Sequence, residues 1–263
     1  MDFLLDLHTK GLSYSAINTA RSALSSVIKI EGVTFGNHEL VTRFMRGVFN
    51  INPSLPKHAK IWDTNVLLHY LEKLYPRKRL CLKQLTLKTV TLLALLTGQR
   101  AQTIHLMAIE NITFQGDEVQ ITIASLIKTS KPTWHLEPIK FTKYDNKRLC
   151  IVTYLKHYLE RTESLRKQEQ QLFISYRKPY NKVSKSTISR WVRTVMCKAG
   201  IDTNKFKAHS TRAATASKVS KFLPLTSILK AGGWRNSLTY AKHYRLPIEN
   251  EDTVANVILN KYA

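Results

Sequence analysis

Acidic side chains are scarce in this chain of 263 residues: 18 Asp and Glu stand against 41 Lys and Arg, a formal charge of +23. Cysteine is scarce as well. Cys81, Cys150 and Cys197 are odd in number and far apart, which argues against a disulfide scaffold or a Cys-rich zinc site. No apolar run approaches the thickness of a bilayer; the longest, Val90 to Leu96, is already broken by Thr91. Met1 to Lys10 has neither the basic start nor the cleavage site of a secretory signal. Internal repeats and low-complexity tracts are missing too. These absences lead us to expect an intracellular, soluble protein. Its apolar share of 43 % is ordinary, and its length suits one large core or two smaller ones. The excess charge calls for a polyanion, nucleic acid first and an anionic membrane surface second.

The charge is unevenly placed. Residues 1–58 hold six basic and four acidic side chains, whereas residues 59–263 hold 35 and 14. Between Arg177 and Arg245 there are sixteen basic residues and a single acid, Asp202. A solvated surface normally mixes signs, because crowding one sign destabilises the compact state. Tyr180, Trp191, Trp234, Tyr240 and Tyr244 lie in this stretch, on segments whose pattern reads as helical, so we expect a folded basic surface. A membrane-surface helix needs a strong apolar face opposite its lysines, and no segment here has one. The expected partner of this surface is nucleic acid. Its contacts are expected at Lys131, Arg177, Lys178, Lys182, Lys185, Arg190, Arg193, Lys205, Lys207 and Arg235.

Ser13 caps an expected helix carrying Ile17, Ala20, Leu24, Val27 and Ile28, and a second short helix is expected from Asn37 to Val48. Asn50 to Lys57, with two prolines among turn formers, reads as a linker. It divides residues 1–58 from residues 59–263. Asp63 caps a helix to Leu74, and the next helix, Lys83 to Leu96, ends at Gly98, a residue suited to a left-handed cap. Val119, Ile121 and Ile123 alternate as in a strand, and Trp134 to Phe141 resumes that pattern after a basic turn at Lys128 to Pro132. Helices are expected at about 149–162, 186–199, 210–221, 225–231, 237–244 and 252–260. The expected class is mainly α with a small antiparallel β-sheet.

Certain residues stand out chemically. His209 and Arg212 lie three apart, on one face of a helix. Arg100 directly follows an apolar helix, where a guanidinium needs a ligand or an ion-pair partner such as Glu110. In chain order the candidates are Arg100, Lys128, His209, Arg212, Trp234 after Gly232-Gly233, and Tyr244. This order resembles the tyrosine recombinases, the phage integrase-like enzymes, over nearly all of 59–263. Residues 10–26 resemble a shortened core-binding domain. More narrowly, Gln99 to Ile104 and Ala208 to Ala214 are similar to recombinases of DIRS-type retrotransposons.

The resemblance implies that these six residues surround one phosphodiester and that Tyr244 becomes joined to the DNA 3′ phosphate. The residue types suit the chemistry. A phenol, with an ordinary pKa near 10, is a weak nucleophile without help. Arg100 and Arg212 meet the developing phosphate charge with planar, permanently protonated forks. Lys128 is the expected proton donor to the departing 5′ oxygen, with Lys131 as its rival. His209 exchanges protons or bonds the phosphate, and the Trp234 indole offers one N–H. The covalent link conserves the bond energy, so no cofactor and no metal is expected. The family usually places its tyrosine nine residues after the His or Trp position, which here is His243; Tyr244 lies at ten and Tyr240 at six. The acid usual three positions after the first arginine is replaced by Thr103. By resemblance the active assembly is a tetramer on double-stranded DNA, with the terminal helix docked on a neighbouring copy or on its own domain. Other readings stay open: an inactive DNA-binding protein of the same fold, or a type IB topoisomerase. Pro76 to Leu80, with its basic run, fits a nuclear signal in a eukaryotic host.

Overall fold

The computed structural model describes residues 1–53, 60–234 and 236–249. The linker from 54 on, Arg235 and the expected helix at 252–260 therefore lie wholly or partly outside the described residues. The chain forms two compact units, Met1–His58 and Ala59–Ala263.

In the first unit, α1 (Asp2–Thr9) precedes α2 (Tyr14–Val27), whose Ser13 cap accepts a bond from Ala16 N–H at 3.3 Å. A two-residue hairpin follows, β1 (Lys29–Ile30) with β2 (Val33–Thr34), and then α3 (Glu39–Ile51). Leu4, Ile17, Phe35, Val41, Met45 and Val48 form its core. The sequence pattern had implied neither α1 nor the hairpin, both too short to show a period.

In the second unit, α4 (Thr64–Lys73) starts at the Asp63 cap. Helix α5 (Leu82–Thr97) then runs through the middle of the core, buried on nearly every side. Such a helix must satisfy its polar side chains internally, and Thr86, Thr89, Thr91 and Thr97 each bond the carbonyl four residues back. Gly98 closes it at φ +58. After α6 (Ala101–His105), β3 (Ile112–Gln115), β4 (Glu118–Ile121) and β5 (Ile139–Thr142) form an antiparallel sheet in that order. The β pattern expected from Trp134 resumes only at Ile139, because Lys131 and Trp134 close a tight backbone bridge on each other instead. Lys128 likewise does not directly follow the strand; irregular chain from Thr122 separates them.

The remaining helices are α7 (Ile151–Thr162), α8 (Lys185–Lys198), α9 (Ser210–Val219), α10 (Leu225–Gly232) and α11 (Ser237–His243). Two aromatic expectations need correction. Tyr180 lies in a loop at φ +62, and Trp234 follows the end of α10, so neither is helical. Among the described residues no helix is long and apolar enough to cross a membrane.

Lys88 on α5 is fully buried, its Nζ donating to the Leu74 carbonyl at the end of α4 and to the Tyr154 hydroxyl, each at 2.8 Å. Burial pushes its pKa down to about 7, against a smaller upward pull from Glu72. The unfolded chain therefore binds more protons than the folded one between about pH 7 and the ordinary lysine value, and stability rises with pH across that window. Lys88→Met removes this titration, so it should gain most in stability relative to the wild type at or below pH 7. That gain should shrink toward pH 10. Urea titrations of both proteins at several pH values measure it; a gain independent of pH would contradict the assignment.

Candidate active site

The site is assembled on the junction of α5 and α9. A helix C-terminus leaves carbonyls without partners, and α9 supplies them. Thr215 Oγ1 donates to Leu95 O at 2.6 Å, and Arg212 Nη1 donates to Gly98 O, also at 2.6 Å. The same turn carries Gln99, whose Nε2 donates to Ala231 O near the end of α10, and Arg100, which caps α6. One tight turn thereby ties α9, α10 and Arg100 together. Among the described residues Arg100 pairs with no carboxylate, so the expected alternative of an ion pair with Glu110 is not formed.

Arg212 is 0 % exposed. Its guanidinium carbon lies 3.7 Å from the centre of the Trp234 ring and 5.2 Å from that of Tyr244. Its Nε and Nη2, and the Trp234 Nε1, are buried without a hydrogen-bond partner. Each such orphan costs roughly 1–3 kcal/mol, more when charged. Burial, and then the charge of Arg100, push the Arg212 pKa down to about 10, opposed by Tyr244. It remains a cation at neutral pH.

His209 stands at the start of α9 with Nε2 3.2 Å from the Tyr244 hydroxyl. Loss of hydration around the ring, and then the charges of Arg212, Arg100 and Lys128, hold its pKa below the ordinary histidine value. A neutral imidazole protonated at Nδ1 can accept the phenol proton at Nε2. Arg100, Lys128 and Arg212 are thus the cations whose charge the imidazole feels. Lys128 does not stand at the strand end where it was expected.

The two tyrosines differ sharply. Tyr240 is 2 % exposed, its hydroxyl donates to Ala216 O, and burial raises its pKa. Tyr244 is half-buried beside His209, with its ring 5.0 Å from that of Trp234. Trp234 in turn needs Gly232: a Cβ there would lie 1.7 Å from the indole ring. Gly232→Ala should displace the indole, lowering stability by roughly 1–3 kcal/mol and slowing the chemistry. Calorimetry, with intrinsic fluorescence of Trp234, checks this; an unchanged melting temperature would contradict it.

Lys131, Arg177, Lys178, Lys182, Lys185, Arg190, Arg193, Lys205 and Lys207 are all exposed. Lys205 is partly committed to Glu249, at 2.7 Å. Arg235 lies outside the described residues. Trp62 and Trp191 are core side chains, and Trp62 Nε1 donates to Ser210 Oγ at 2.9 Å, steadying the start of α9. Gly98, Gln99, Trp62 and Ser217 carry supporting contacts that sequence reasoning missed. Gly98 and Gln99 adjoin Arg100, a signal that was available; the other two gave none.

Fold and site together define a basic, mainly helical protein in which a tyrosine, an imidazole, an indole and a buried guanidinium lie side by side. The chain belongs to the phage integrase family, whose sequence profile matches residues 65–250. No curated protein matches it. Among solved structures it is similar to the XerH site-specific recombinase bound to palindromic difH substrate, at 18 % identity and TM-score 0.63, over 92 % of this chain and 66 % of that one. A lambda integrase dimer bound to a COC′ core site is similar at 16 % identity and TM-score 0.56, over 95 % and 65 %. The Tn1549 transposon integrase with transposon right end DNA is similar at 13 % identity and TM-score 0.63, over 99 % and 82 %. At these identities the likeness is one of fold. The chain thus spans just under two thirds of the XerH and lambda chains.

Proposed function

We propose that this protein cuts and rejoins duplex DNA at specific sites, as the recombinase or integrase of a mobile element. Tyr244 attacks phosphorus, its proton passing to His209, and the bond to the 5′ oxygen breaks as Lys128 protonates that departing oxygen to a hydroxyl. The product is a 3′-phosphotyrosine, and attack by a 5′ hydroxyl reverses the step. Arg100, Arg212 and Trp234 bind the non-bridging oxygens, where charge builds in the transition state. One observation carries this reading: the Tyr244 hydroxyl lies against His209 beside buried Arg212 and Trp234 donors that have no protein partner.

The unit of residues 59–263 would be catalytic and that of residues 1–58 a shortened DNA-binding domain. The exposed basic side chains would hold phosphates, so affinity should fall steeply with salt. Lambda integrase is described as a dimer on a core site and as a tetramer on a Holliday junction, which supports assembly of this chain on DNA, as a tetramer. The resemblance of Gln99 to Ile104 and Ala208 to Ala214 to DIRS-type retrotransposon recombinases supports that origin, and with it a nuclear location.

The test uses a pool of nicked duplexes with randomised flanks, in EDTA, so that a short 5′ fragment diffuses away and traps the adduct. A protein–DNA species resistant to SDS is expected. Retention of DNA with no adduct from any member of the pool would instead indicate a binding protein without activity. Plasmid relaxation without recombinant product would indicate a topoisomerase.

A further inference from the structure

Ser217 lies on α9, the helix that begins beside His209 and carries Arg212, and it is 3 % exposed. Its Oγ donates to the Tyr244 carbonyl at 2.9 Å and accepts from the Leu246 N–H at 2.9 Å. One hydroxyl therefore uses its donor and an acceptor lone pair on the two peptide groups that follow Tyr244. The location matters because Tyr244 is where α11 ends: its own N–H still bonds Tyr240 O, but its backbone has left the helical region, at φ −129 and ψ −20. Further on, the chain is held by backbone bonds, Ile61 N–H to Pro247 O and Glu249 N–H to Ile61 O. Between these two anchors, among the described residues, Ser217 is the side chain that bonds the backbone.

We propose that Ser217 is a positioning residue for the nucleophile. Its hydroxyl sets the backbone of Tyr244 so that the phenol oxygen meets His209 Nε2. The phosphate ligand Arg212 and the clamp on the tyrosine are then parts of one rigid helix, which fixes their separation whatever the rest of the chain does. Ser217 is buried and acts through the backbone that follows Tyr244. This rests on Tyr244 being the nucleophile.

The effect of a lost clamp is one of geometry, where displacement of a reacting atom by about 1 Å costs on the order of 100-fold. Single-turnover cleavage of the nicked duplex, followed across DNA concentration, separates rate from binding. Ser217→Ala should slow cleavage at saturating DNA by about 10- to 100-fold, with half-saturation within about twofold of the wild type. Ser217→Thr, which keeps the hydroxyl, should recover most of the rate. Ser217→Cys, close in size but poor in hydrogen bonding, takes the place of the alanine variant if that one fails to fold, and should show the same loss. Wild-type cleavage with an alanine or cysteine variant equally fast would overturn the clamp. So would a variant whose rate and affinity fall together, or a threonine variant as slow as alanine. Absence of adduct from the wild type itself would remove the reading of Tyr244, and the clamp with it.

Discussion

Replacing Tyr244 by Phe is expected to abolish the covalent adduct to the limit of detection, while Tyr240→Phe leaves it at wild-type level. The chemistry needs an oxygen that can reach phosphorus and surrender a proton on the way. Tyr244 is half-buried, and its hydroxyl already has an acceptor in His209 at 3.2 Å. The low pKa of that imidazole keeps it neutral and able to take the proton near pH 7. Tyr240 lies four residues earlier, within α11 and buried, whereas at Tyr244 the backbone has already left the helix. Its ring meets Trp234 edge-on with centroids 5.3 Å apart, and its hydroxyl is spent on Ala216 O. Burial raises its pKa, which is the wrong direction for a nucleophile. Each Phe variant gives up one hydroxyl hydrogen bond, so each should lose only about 1 kcal/mol of stability. SDS gels of the trapped complex, beside thermal melts, measure both quantities. Adduct formed by the Tyr244 variant, or lost with Tyr240, would reverse the assignment.

Arg212→Lys should lower the cleavage rate by about 10²- to 10³-fold while DNA affinity changes little. Three properties of the guanidinium are used at once. Nη1 bonds Gly98 O, the plane stacks on Trp234 at 3.7 Å, and Nε and Nη2 remain for an oxygen anion. An ammonium reproduces neither the plane nor the fork. It also risks losing its charge. The surroundings bring Arg212 from an ordinary 12.5 to about 10. The same burial would push a lysine, whose ordinary value is already lower, further toward neutrality. Affinity should survive because the phosphate contacts proposed above fall to exposed side chains such as Arg177, Lys185 and Arg190, far more numerous than this buried one. Single-turnover cleavage and fluorescence anisotropy on one duplex separate the two. A rate within threefold of the wild type would show that charge alone suffices at this position.

Much of the helical framework was legible because its signals are local. Ser13, Asp63 and Gly98 mark helix ends by side-chain capping or by a left-handed backbone, and apolar spacing does the rest. The sheet was legible only in part. Strands of four residues scarcely show a period, and the connection from Thr122 to Pro138 follows hydrogen bonds that alternation does not report. The candidate site was legible as a set of residue types in order, and among them the structure places His209, Arg212, Trp234 and Tyr244 side by side. It was not legible as a choice between neighbours. Tyr240 and Tyr244 are alike in type and both lie near an expected helix end.

The sequence by itself determined the charge, its concentration after residue 59, the helical class and the chemical inventory of the site. These follow from composition and from contacts within a turn or two of chain. Tertiary structure decided which phenol faces His209, which arginine is buried with donors to spare, and that Ser217 holds the tyrosine's backbone. The reason is physical: those outcomes depend on burial and on distances between residues from 27 to 114 positions apart. Packing of α9 against the end of α5 and the segment after α11 sets such distances, and no local period encodes them.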